Sequence, residues 1–117
     1  MLTAGDILRV YCVFIPKKKY VVCVFPKHPL FFLINTEPRR ISPDAQLLIK
    51  KKDFPFLQYD SYINTAMLCV ISKDEIAKGK RLGHLTNEMK NLIIDCATNK
   101  GYLPQAHKDI IKNNFSS

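Results

Sequence analysis

Basic side chains in this sequence are gathered into runs: Lys17-Lys18-Lys19, Arg39-Arg40, Lys50-Lys51-Lys52 and Lys78-x-Lys80-Arg81, within a chain of formal charge +8. Clustering of this kind attracts a polyanion and makes its binding salt-dependent. It does not say which polyanion, and the same residues would serve as turn and edge positions that keep a protein in solution. His28 has an unperturbed pKa near neutrality and could give or take a proton, or could be a solvated loop residue between Pro26 and Pro29. Thr36 and Ser61 offer hydroxyls, which also commonly satisfy backbone groups at strand ends and turns. Neither has an activating partner nearby in sequence, so no covalent nucleophile is expected.

Other chemistries find less support. Cys12, Cys23, Cys69 and Cys96 all lie in apolar settings and form no closely spaced zinc-chelating pair, so they read as buried free thiols, with an oxidised pair as the alternative. Asp6, Asp44, Asp53 and Asp60 are spread over several turns, and Gly5, Gly79, Gly83 and Gly101 are isolated, which gives neither an oxygen-rich metal site nor a phosphate-binding glycine loop. No metal and no cofactor is expected.

The elements that would position these residues are mostly strands. Ile7–Phe14, Lys19–Phe25, Leu30–Ile34, Ala45–Ile49 and Ser61–Ile71 are rich in β-branched and aromatic residues, which pack well on a pleated surface. Prolines at 16, 26, 29, 38 and 43 mark the turns between them. Phe54-Pro55-Phe56-Leu57 is apolar but broken by proline, and reads as a loop plugging one end of the core. Ser72-Lys73-Asp74-Glu75 is a capping box that predicts one helical turn ending near Gly79. Leu82–Leu85 then leads to Thr86, an N-cap for a helix whose stripe of Met89, Leu92, Ile93, Cys96 and Ala97 docks on the sheet. After Asn99-Lys100-Gly101, Pro104 opens a short terminal helix with Ile110 and Ile111 in need of cover.

A chain of 117 residues, 47% of them apolar, can close one hydrophobic core and no second. The expected organisation is one small barrel domain with a docked helix over residues 1–101 and a C-terminal extension over 102–117. The longest apolar runs reach about a third of the roughly 20 residues that cross a bilayer, and the start lacks the pattern of a secretory signal. A cytoplasmic protein with no membrane contact is expected. Five short strands, proline-dense turns and one docked helix predict a mainly β domain bent into a small sheet or barrel.

In the order of its motifs the sequence resembles the toxin endoribonucleases of the PemK/MazF superfamily. Gly5-Asp6-Ile7-Leu8-Arg9-Val10 is similar to that family's opening strand, Lys17-Lys18-Lys19-Tyr20-Val21-Val22 to its basic loop and second strand, and Phe32-Leu33-Ile34-Asn35-Thr36 to its third. Asp60-Ser61-Tyr62-Ile63, Ile71–Ile76 and Arg81–Thr86 followed by an apolar helix continue the likeness, which covers roughly residues 5 to 98. It implies an SH3-like barrel with a C-terminal helix. Lys19-Tyr20 stands where the family usually places arginine and proline, and Glu37 follows Thr36 where it usually has serine. A lysine keeps the charge without the planar fork that grips a phosphate through two bonds.

The activity implied is metal-independent cleavage of single-stranded RNA, by the toxin of a toxin–antitoxin pair. Such cleavage needs a group to take the 2′-hydroxyl proton, a cation to offset charge on the phosphorane and a donor to the leaving oxygen. Lys19 is placed as the cation, Thr36 and Ser61 as donors and His28 as acid or base. Lys17, Lys18, Arg39, Arg40, Lys50 and Lys51 would hold the nucleic acid. A homodimer and an acidic antitoxin filling the RNA groove are the expected partners. The alternative is a non-catalytic module whose basic face holds nucleic acid or an acidic protein.

Overall fold

The computed structural model describes residues 1–116 and shows a mainly β architecture with helices toward its C-terminal end. Strands β1 (Asp6–Cys12), β2 (Lys17–Phe25), β3 (Leu30–Asn35), β4 (Gln46–Ile49), β5 (Ser61–Val70) and β6 (Lys80–His84) form one antiparallel sheet in the order β4-β5-β3-β2-β1-β6. Helix α1 (Lys73–Lys78) joins β5 to β6, and α2 (Asn87–Asn99) and α3 (Gln105–Phe115) follow. Five strands fall where the apolar runs predict them. The sixth, β6, occupies the stretch read from sequence as a lead-in to the helix, and is an edge strand held by its pairing with β1.

Strict alternation along the inner strands explains how the sheet buries both faces. Val22 and Val24 of β2 and Phe32 and Ile34 of β3 point into one cluster with Ile7, Ile63, Ile93, Ala97, Ile111 and Phe115, beneath α2 and α3. Their neighbours Val21, Cys23, Phe31 and Leu33 point the other way, into a second cluster with Leu8, Val10, Cys12, Cys69 and Ile71. Period-two geometry requires this division. Truncating Phe31 or Phe32, both fully buried, to alanine would cost about 3–5 kcal/mol.

The sheet curls because three registers slip. Between Phe31↔Cys69 and Leu33↔Asn64, β5 advances further than β3, leaving extra β5 residues bulged out; such bulges sharpen local twist. Asn64 stitches the bulge, its side-chain carbonyl accepting from the Ala66 amide at 3.1 Å and from Gln46 Nε2 at 2.9 Å. The hydroxyl of the buried Thr65 donates to the Ala45 carbonyl at 2.6 Å. Further shifts interrupt the β1–β6 and β2–β3 pairings.

The two N-cap hydroxyls act as read. Ser72 Oγ accepts from the Glu75 amide and Thr86 Oγ1 from the Met89 amide, each at 3.2 Å. The stripe on α2 is narrower than its spacing suggests: Ile93, Cys96 and Ala97 are buried while Leu92 is 46% exposed. α3 is three turns long, and Ile111 and Phe115 enter the main core, so residues 102–116 add to the same core as the sheet. Among the described residues no helix is long and apolar enough to cross a membrane.

Candidate nucleic-acid interface

Antiparallel registers carry the basic loop, Thr36 and Ser61 to the same end of the sheet. Tyr20 pairs with Ile34, so Lys19 on β2 and Asn35 on β3 lie one position further along, and Lys19 Nζ donates to Asn35 Oδ1 at 2.8 Å. Asn35 in turn pairs with Tyr62 of β5, which puts Thr36 and Ser61 next to each other one step beyond. Arg9 enters from the other side because it pairs with Tyr20.

These side chains line a hollow of about 320 Å³, together with Lys17, Lys18, Gln58 and Tyr59. A second hollow, of about 500 Å³, shares Lys17, Lys19, Asn35 and Thr36 with the first and extends past Glu37 to Arg39 and Arg40. The two make one trough with lysines at its centre and the arginine pair at its far end. Lys50 and Lys51 leave the sheet at this end too, since Ile49 pairs with Ser61, but they are exposed and line neither hollow. The Lys51 amide donates to Asp60 Oδ1 at 2.8 Å, which ties the loop's two ends together.

The three groups expected to do chemistry differ in readiness. Lys19 is half-buried, and desolvation, then the charge of Lys17 and less that of Arg39, push its ammonium below the ordinary 10.5 against an opposing contribution from Cys12. A phosphate in the trough would relieve that penalty. Thr36 is exposed and lines both hollows. Ser61 is buried, and its hydroxyl donates to the Tyr59 carbonyl at 2.9 Å. Its proton is already engaged, so it can donate to a leaving oxygen only by rotating away.

His28 is not brought to this place. It sits in the turn after β2, edge-on to Phe25 at 5.5 Å. From Lys19 to Phe25 the strand alone covers roughly 20 Å. Among the described residues no imidazole lines either hollow, and the carboxylate of Glu37 lines the second one only.

Sequence reasoning passed over Arg9, Asn35, Gln58 and Tyr59. Arg9, like Tyr11, is an exposed position of β1 between buried neighbours, a signal visible in the alternation. Tyr59, 65% exposed, has no such signal, because its place beside Lys19 depends on strand pairing. A second polar cluster also went unread. The fully buried Asp6 accepts from the Thr3 amide at 2.8 Å and meets His84 Nδ1 at 2.8 Å and Arg81 Nη2 at 3.0 Å. Burial alone would raise its carboxyl, but the bonds from His84 and Thr3 and the charge of Arg81 outweigh it and hold the group below its ordinary range. Gly5, at φ +96°, permits this packing, since a Cβ there would come within 2.7 Å of Lys90 Cε and 3.1 Å of the His84 ring.

Among the described residues no group of three or more His, Cys, Asp or Glu side chains is arranged to hold a metal ion. Compared with models of known protein families and with curated protein sequences, the chain finds no match in either.

Proposed function

We propose that this chain binds single-stranded RNA along the trough between Arg9, Lys17–Lys19 and Arg39–Arg40. The observation that carries the proposal is the convergence of Lys19, Thr36 and Ser61 on one basic hollow. Phosphates would lie against Lys17, Lys19 and the arginine pair, and the exposed Tyr59 offers a face on which a base can stack, worth about 1–3 kcal/mol. An open trough flanked by an aromatic suits a splayed single strand better than a duplex.

Metal-independent cleavage in this trough, as in the PemK/MazF toxins, is the second reading. The curled sheet with its C-terminal helices supports an SH3-like barrel of that type, and the placement of Lys19 beside Thr36 in the trough supports a catalytic use for its charge. In that reading Lys19 and Thr36 stabilise the phosphorane, and an acidic antitoxin segment would occupy the same trough. Two such troughs joined in a homodimer would make a longer path for RNA. Against cleavage stands the lack of an imidazole in either hollow among the described residues, which leaves the exposed Glu37 carboxylate of the second hollow as the acceptor nearest Lys19 and Thr36 for the 2′-hydroxyl proton.

One experiment tests both. A labelled single-stranded RNA titrated with full-length chain in excess EDTA, followed by polarisation and then by gel, reads binding and cleavage together. Binding that weakens with salt, and a log–log salt slope smaller by about 0.7 in Lys19→Ala, support the RNA-binding reading. Products that Lys19→Ala abolishes support cleavage, and a chain with no salt-sensitive affinity for RNA overturns both.

A further inference from the structure

At the start of β1, where Ile7 contributes to its wall, lies a cleft of about 560 Å³ with a different character. It runs along the seam where the sheet stays open, between edge strand β6 and the loop that carries Phe54, Pro55 and Phe56. Its walls are apolar: Phe54 and Phe56 meet edge-on at 6.0 Å, and Leu82 and Met89 complete them. The polar groups are few: the His84 imidazole, the Thr86 hydroxyl and the Asp53 and Glu88 carboxylates. An apolar enclosure of this size with a few convergent polar groups is the usual form of a small-molecule site.

Two further observations point to an occupant. Gly83 lines the cleft in the middle of β6, its backbone is not left-handed, and a Cβ there would meet nothing within 4 Å. Gly83 pairs with Ile7 at the bulge between β1 and β6, and because a Cβ there would meet nothing, the backbone along this wall is open to close approach by a ligand. The imidazole is also fixed in place. His84 Nδ1 is held by the buried Asp6, the ring being 38% exposed.

We infer that this cleft binds a planar nitrogen heterocycle of nucleoside size, neutral or cationic. Flat aromatic and thioether walls favour a ring system, and the imidazole and hydroxyl can meet its polar edge. The charge preference follows from Asp53 and Glu88, two carboxylates in a lining without lysine or arginine, which outnumber the partial positive charge of the α2 N-terminus and disfavour a phosphate. The cleft is thus separate in place and in charge from the RNA trough, and the inference does not rest on it.

The test is an NMR titration of the full chain with adenosine and with adenosine monophosphate, read at the amide signals of Leu82 and Gly83. Saturable shifts are expected with adenosine at millimolar concentration, and at least about fivefold weaker ones with the monophosphate because of the two carboxylates. Gly83→Leu, which fills the cleft, should weaken adenosine at least about tenfold. Glu88→Lys, at an exposed position, should narrow the gap between the two ligands, and Lys19→Ala should change neither. Amide signals that adenosine leaves unmoved, or a monophosphate that binds there as well as the nucleoside, would overturn the assignment.

Discussion

Lys19 and Asn35, on neighbouring strands, are joined by a 2.8 Å hydrogen bond that holds the lysine ammonium at the mouth of the basic trough. The bond restrains a long side chain where a phosphate would meet it, and restraint before binding lowers the entropy lost on binding. Asn35→Ala should weaken RNA binding about threefold to tenfold, the loss expected for a hydrogen bond worth about 1 kcal/mol. Polarisation titration against the unmodified chain measures it, and an unchanged affinity would show that the asparagine does not preorganise the lysine.

The depressed pKa of Lys19 gives binding a pH dependence of definite sign. A bound phosphate stabilises the ammonium, so the complex takes up a proton wherever the free amine has lost one. Affinity should be level at neutral pH and fall as pH rises through the free-protein pKa, beginning below the ordinary lysine value of 10.5. Lys19→Arg, whose charge does not titrate, should not show that early fall. The same profile in both chains would contradict the assignment.

Asp6 should be the most costly polar residue to change. Asp6→Asn leaves His84 and Arg81 without their shared charge and should cost about 2–4 kcal/mol in urea unfolding. The folded pKa of Asp6 is depressed, so its contribution is complete above the unfolded value of about 3.9 and disappears as pH falls through the folded one. The unmodified chain should lose stability below about pH 4 more steeply than Asp6→Asn. Arg81→Met should matter little, because the arginine side chain is 59% exposed and such pairs contribute about 0–1 kcal/mol.

The four thiols should be inert while the fold holds. All are buried and free, and burial, with the nearby charge of Asp6, pushes Cys23 up to about 12. Since the thiolate is the reactive form, an aromatic disulfide reagent at neutral pH should label none of them quickly and all of them in guanidinium. Rapid labelling of Cys12, Cys23 or Cys69 in the native chain would show that the second core cluster opens readily.

Sequence pattern reveals this fold unevenly, for physical reasons. β1 to β5 are legible because Val21–Val24, Phe31–Ile34 and similar runs are intrinsically β-forming. β6 is not, because Lys80-Arg81-Leu82-Gly83-His84 has little strand preference and owes its conformation to β1. At the candidate site, residue types nominate Lys19, Thr36 and Ser61, and only registers bring them together. The same registers send His28 to the other end of β2 and bring in Arg9, and with it Asn35, which no local pattern marks. Asp6 and His84 are 78 positions apart, beyond the reach of any spacing argument.

Mapping a short single-stranded RNA onto the assigned amide spectrum of the full chain tests the central claim most directly. The largest shifts should fall at Lys17–Lys19, Asn35–Thr36 and Gln58–Ser61, fading at high salt, with His28 and Leu82–Gly83 undisturbed. Shifts centred on the turn around His28 or on the β6 edge, with the lysine end silent, would contradict it.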